Sequence, residues 1–126
     1  MIGCPCGGRS LEHCCGPLVE DGIPATTAEQ LMRSRYTAFV LGRDDHLWRT
    51  WHPRTRPGVV DAGDVRWTGL SVLAVVDGGV GDQTGIVEFE ARSTGVEGPS
   101  VLRERSVFER RGGRWTYVGG SQTTTR

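Results

Sequence analysis

The 126 residues predict an α+β fold, and three observations carry that prediction. Helical periodicity is confined to residues 26–52. Alternating strand texture begins after Asp64. Gly112-Gly113 separates two strand-like runs as a two-residue hairpin turn does. Helices followed by about four antiparallel strands place the longer helix across one face of a sheet.

The first helix is predicted over "TTAEQLMRSRYTAFVLG". Thr26 and Glu29 fit a capping box, in which side chain and backbone satisfy each other's orphan donors. Ala28, Leu31, Met32, Tyr36, Phe39 and Val40 recur at helical spacing, and Gly42 supplies a stop. Asp44 caps a second, shorter helix carrying Leu47, Trp48 and Trp51. It ends by His52, because Pro53 disfavours the helical conformation in the residue before it. Residues 53–64 read as a loop. Strands follow over 65–76, 84–94, 100–111 and 114–120, with Val87, Phe89 and Ala91 alternating against Glu88, Glu90 and Arg92. "GGVG" at 78–81 is a turn that no helix follows, so it lacks the dinucleotide-binding context. The closing "TTTR" is expected to fray.

All four cysteines precede this domain, in "CPCGGRSLEHCCG" (residues 4–16). The chain therefore divides into a knuckle at 1–16, a linker at 17–25 with two prolines and a glycine, and an α+β domain at 26–126. The knuckle is too short to bury a core and must be held by something else. Zinc wants four soft ligands at tetrahedral corners. Cys4 and Cys6 supply one pair across Pro5, with Gly7 and Gly8 easing a close turn, and Cys14 and Cys15 supply the other. Adjacent residues diverge, so the second pair requires a turn or the first turn of a helix, with His13 as a substitute ligand. Four thiolates leave no open position, which makes the site structural. A vicinal disulfide, an iron–sulfur cluster, buried apolar cysteines and a redox switch are the alternatives.

Formal net charge is zero, with fifteen arginines and no lysine, so no global charge draws the chain to nucleic acid or an anionic membrane. No run approaches the ~20 apolar residues of a membrane span. No apolar stretch precedes Cys4, against export as a lipidated protein. The expectation is a soluble cytoplasmic protein, in whose reducing surroundings clustered thiols hold metal rather than form disulfides.

"CPCG…CCG" resembles the SEC-C zinc motif, with seven residues between Cys6 and Cys14, one fewer than the usual spacing. "LMRSRYTAFVLGRDDHLWRTWHP" (31–53), "WTGLSV" (67–72) and "LRERSVFERRGGRWTYVGG" (102–120) resemble the YchJ-like family of bacterial proteins. That resemblance implies a SEC-C knuckle followed by a nuclear-transport-factor-2-like, or cystatin-like, α+β cone whose curved sheet wraps a helix around a cavity. It implies no catalytic residues, because the family brings no established activity.

Arg35 falls on or beside the buried stripe of the first helix. It needs a carboxylate, with Glu88, Glu90 or Glu104 as candidates, or it recognises an anion at the cavity mouth. His52 closes a helix end or acts as a general base. Tyr36 packs helix on sheet or turns its hydroxyl into the cavity. Trp48 and Trp51 read as core, His46 as solvated and His13 as a neighbour of the metal. Arg103, Arg105, Arg110, Arg111 and Arg114 read as a solvated strand face cross-paired with acids. The expected function is a non-enzymatic zinc-binding adapter whose knuckle meets a protein or ribonucleoprotein partner. The alternative is a small-molecule-binding protein or enzyme using the cavity through Arg35, Tyr36 and His52. Nucleic-acid binding through the knuckle and the arginine hairpin is the weakest of the three.

Overall fold

A computed structural model describes residues 3–125. Three helices, α1 (Gly16–Asp21), α2 (Ala28–Leu41) and α3 (Asp44–Arg49), precede four strands. These are β1 (Arg66–Asp77), β2 (Thr84–Gly95), β3 (Gly98–Arg111) and β4 (Arg114–Thr125), in one antiparallel sheet of order β1-β2-β3-β4.

The segment 17–25 is not a linker. Its first half is α1, with Cys15 as N-cap, Pro17 in the first turn and Gly22 in the left-handed conformation at the C-cap (φ 70°). Proline at a helix start loses no hydrogen bond, and glycine after its end closes it without strain. Leu18 and Val19 are buried, which gives this short helix its reason to form.

α2 begins one residue later than the capping box suggests. Thr27 is the N-cap and accepts from Gln30 N at 3.1 Å, while Gln30 Oε1 accepts from Thr26 N and from the Thr26 hydroxyl. Glu29 is thereby free to pair with Arg33 at 2.9 Å. Gly42 ends the helix as expected (φ 73°). Asp44 is the first residue of α3 rather than its cap, and its Oδ1 accepts from Ala62 N at 2.8 Å, pinning the loop that follows.

The sheet is a meander. Gly112 and Gly113 both have positive φ, the turn that matches the right-handed twist of its strands. Irregularities at Trp67/Gly69, Val72/Ala74 and Val107/Phe108 bend it around α2. The terminal threonines do not fray: Thr123, Thr124 and Thr125 pair with Arg103, Leu102 and Val101. Residues after α3 dock on β4, with His52 N donating to Tyr117 O and Tyr117 N donating to Thr50 O, both at 2.8 Å.

Two apolar clusters result. One joins Leu18, Ala28, Leu31, Met32, Val87, Phe108 and Trp115 between α2 and the sheet. The other joins Cys4, Cys6, Cys15 and Val19 to Tyr36, Ala38, Leu47 and Ala91, so the knuckle is part of the core.

Candidate metal centre and cavity

Residues 4–16 turn back on themselves through backbone bonds from Gly7 N to Cys4 O at 2.9 Å and from Cys4 N to Gly8 O at 3.1 Å. Gly7 has φ 101°, a conformation glycine alone adopts cheaply. At Gly8 a side chain has no room, because a Cβ there would lie 2.5 Å from Cys14 Sγ. The seven residues between Cys6 and Cys14 are enough. Their Sγ atoms are 3.5 Å apart, and Cys14 and Cys15 Sγ are 3.9 Å apart.

All four sulfurs lie within 4.8 Å of one another. Four thiolates about 2.3 Å from one tetrahedral ion sit about 3.8 Å apart, so the donor set fits such an ion. The thiols are free, and Cys4, Cys6 and Cys15 are buried. Their mutual electrostatics point the same way. A hydrogen bond from Cys15 draws the Cys6 thiol down to about 4, while burial pushes Cys14 up to about 11. Cys15 is raised further, first by its hydrogen bond to Cys6. Among Cys6, Cys14 and Cys15 one negative charge thus opposes the next, a repulsion that a divalent cation between them would offset. The geometry is that of a metal site. His13 is outside it, with Nδ1 2.9 Å from Ser10 Oγ.

The knuckle is clamped to α2: Arg33 Nη1 donates to Cys6 O at 2.8 Å, and Cys4 Sγ lies 3.6 Å from Thr37 Oγ1. Another face of α2 borders a cavity of about 160 Å³ between helix and sheet, lined by Arg35 and Tyr36 among other residues. His52 is not among the lining residues. Its Nδ1 accepts from Arg54 N at 3.0 Å and its carbonyl accepts from Thr55 and Arg56, so it closes the chain after α3.

Arg35 is only 6 % exposed, yet none of the expected glutamates pairs with it. Nη1 donates to Leu47 O at 2.9 Å and Thr50 Oγ1 at 2.7 Å, and the guanidinium lies 4.6 Å from the Tyr117 ring centroid and 5.2 Å from that of Trp51. Helix carbonyl, hydroxyl and two ring faces replace the carboxylate. Burial still draws its pKa down to about 10. Glu88 is drawn instead to Arg103 and Arg105 on the outer face of the sheet.

Glu104 faces the cavity and anchors its polar side. Ser106 and Tyr117 hydroxyls donate to Oε2, the latter at 2.9 Å, and Gln122 Nε2 donates to Oε1 at 2.6 Å. Burial, then the Glu104 charge, raises the Tyr117 pKa. This cluster was legible only as strand alternation: Leu102, Glu104, Ser106 and Phe108 share one face of β3.

Three further expectations change. His46 is buried, not solvated, with Nε2 2.9 Å from Ser34 Oγ, and burial lowers its pKa to about 4. Trp48 is exposed with Arg56 stacked 3.5 Å over it, whereas Trp51 faces the cavity. Arg110 caps the 78–83 turn, donating to Asp82 O at 2.6 Å and to Val80 O at 2.5 Å, and stacks on Trp115.

The family model described as "YchJ, middle NTF2-like domain" matches residues 27–120. A UPF0225 protein of Streptomyces coelicolor is 50% identical over 119 residues, covering 93% of this chain and 93% of that protein. One from Chromobacterium violaceum is 48% identical over 122 residues, covering 93% and 90%. Among solved structures, a SEC-C motif containing protein from Rhodopseudomonas palustris matches with TM-score 0.81 at 32% identity, covering 95% of this chain and 98% of that one. A second, from Psychrobacter arcticus, matches with TM-score 0.78 at 26% identity, covering 98% and 84%. The chain belongs to the YchJ-like family.

Proposed function

We propose that this YchJ-like chain is a non-enzymatic binding protein whose α+β cavity takes a small molecule and whose knuckle is held by one zinc ion. Cys4, Cys6, Cys14 and Cys15 are the zinc ligands in this reading. All-sulfur tetrahedral sets suit zinc, and a closed set serves shape rather than chemistry. The observation that carries the cavity reading is the walled space beside α2, with a buried Arg35 on its lining whose hydrogen bonds go to neutral acceptors. Pockets of this kind, largely apolar with a few placed polar groups, are where small ligands bind.

The knuckle then acts through α2: Arg33 and Thr37 meet its loops, and Tyr36 belongs to the same apolar cluster as Cys4, Cys6 and Cys15 while lining the cavity. Metal analysis of the purified chain is expected to give one zinc per molecule. A small-molecule screen by ligand-observed NMR is expected to give hits on the zinc-loaded chain that vanish in Leu102→Trp, which fills the cavity. A screen without such hits overturns the binding role.

One observation favours the adapter as a second reading. Glu12, Glu20 and Asp21 border an open groove where the knuckle meets α1, suited to a basic segment of a protein partner. Charge reversal of Glu20 and Asp21 is expected to abolish co-purification of that partner without altering zinc content.

A further inference from the structure

The cavity measures about 160 Å³, close to the about 150 Å³ apolar cavity known to admit one benzene. Met32, Phe39, Phe89 and Phe108 supply much of its wall. Its polar groups are unevenly committed. On the acceptor side Glu104 already accepts from Ser106, Tyr117 and Gln122. On the donor side the indole Nε1 atoms of two lining residues, Trp51 and Trp67, are buried with no partner among the described residues. Arg35 is engaged through Nη1 alone among the described residues. A buried donor without an acceptor forfeits the hydrogen bond it makes in water, and a buried cation held only by neutral acceptors gains from an anion brought to its free nitrogens.

We infer that the cavity takes a small ring-bearing monocarboxylate, its ring among Phe39, Phe89 and Phe108 and its oxygens on Arg35, Trp51 and Trp67. This presupposes that the cavity binds small molecules at all. Only acceptors complement the unfilled donors, since a donor-rich ligand would meet Glu104 oxygens already occupied. Glu104 lines the same space and its charge already acts on Arg35, so every negative charge a ligand carries beyond one is opposed, and a dianion such as phosphate is disfavoured.

Titrating the zinc-loaded full chain with benzoate, and separately with benzamide, tests this through the four tryptophan indole N–H signals in nitrogen-correlated NMR spectra. Benzoate is expected to shift Trp51 and Trp67 saturably. It should leave Trp115, whose Nε1 already donates to Thr26 O, and exposed Trp48 in place. Benzamide, the same shape without the charge, is expected to bind at least about tenfold more weakly, the size of one charge-assisted hydrogen bond. Arg35→Met is expected to erase that preference. Equal affinity for the two probes overturns the carboxylate assignment while leaving cavity binding intact. Shifts confined to Trp48, or absent for both probes, overturn the site itself. The comparison of benzoate with benzamide on the unaltered chain decides the matter even if Arg35→Met does not fold.

Discussion

The knuckle and the sheet pack on different faces of α2, and they are ordered by different means. Residues 4–15 contain no regular element, and what draws them together is a cluster of four sulfurs. The four strands are ordered by continuous backbone ladders, with Val87, Phe108 and Trp115 buried between sheet and helix. A ladder distributes its stability over many weak bonds, whereas a knuckle held by the proposed zinc concentrates it in one site. Yet the two are not independent, because Cys4, Cys6 and Cys15 share a cluster with Tyr36, Leu47 and Ala91. The difference teaches that the cysteine knuckle finishes one end of a core which the sheet has begun.

The largest test removes the concentrated term. Structural zinc contributes about 10 kcal/mol in small domains, so a strong chelator or Cys6→Ser is expected to abolish amide protection in residues 4–21 and to loosen the Tyr36–Trp67 contact. Protection around Phe108 and Trp115 should persist, and hydrogen exchange would report both. An unchanged exchange pattern would sever the link between thiols and stability.

The converse is Phe108→Ala, at a side chain 1 % exposed. Its cavity is expected to cost about 3–5 kcal/mol in urea unfolding with zinc stoichiometry unchanged. Loss of zinc in that variant would show the two regions to be one cooperative unit.

A smaller effect concerns α3, which packs on α2. His46 is held neutral by burial, its pKa lowered from 6.5 to about 4. The unfolded chain therefore binds the proton first, and stability is full above about pH 6.5 and falls as pH drops toward about 4, by roughly 3 kcal/mol. Urea unfolding at pH 7 and pH 5 should show this loss in the native chain and a weaker one in His46→Gln. Equal slopes would mean that His46 is reached by solvent.

The least effect belongs to the helix the two regions share. Thr27→Ala removes the N-cap of α2 and is expected to cost about 1 kcal/mol, against almost nothing for Thr26→Ala. A larger loss at Thr26 would restore the capping box to the register first expected.

Much of this architecture was legible in local chemistry. The 3.6-residue recurrence of Leu31, Met32 and Tyr36, the alternation in β2 and the Gly112-Gly113 turn each specify their element through a few neighbouring residues. The gathering of the four cysteines was equally legible, because short loops leave thiols at these spacings few places to go. α1 was missed because two prolines and a glycine outweigh two apolar residues until those residues are seen to be buried. The ordered threonine tail was missed because threonines look frayed until β3 supplies a partner.

Side-chain roles divided along the same line. By itself the sequence determined periodicity, turn chemistry and donor type, all of which act over a few residues. The tertiary structure alone decided that Arg35 meets Leu47 O, Thr50 and two aromatic rings instead of a glutamate. It also decided that His46 is dry, that His52 lies away from the cavity, and that Glu104 gathers three donors from β3 and β4. The physical reason is that burial and pairing depend on what the rest of the chain brings within hydrogen-bond reach, and that is a property of the packed layers rather than of any segment.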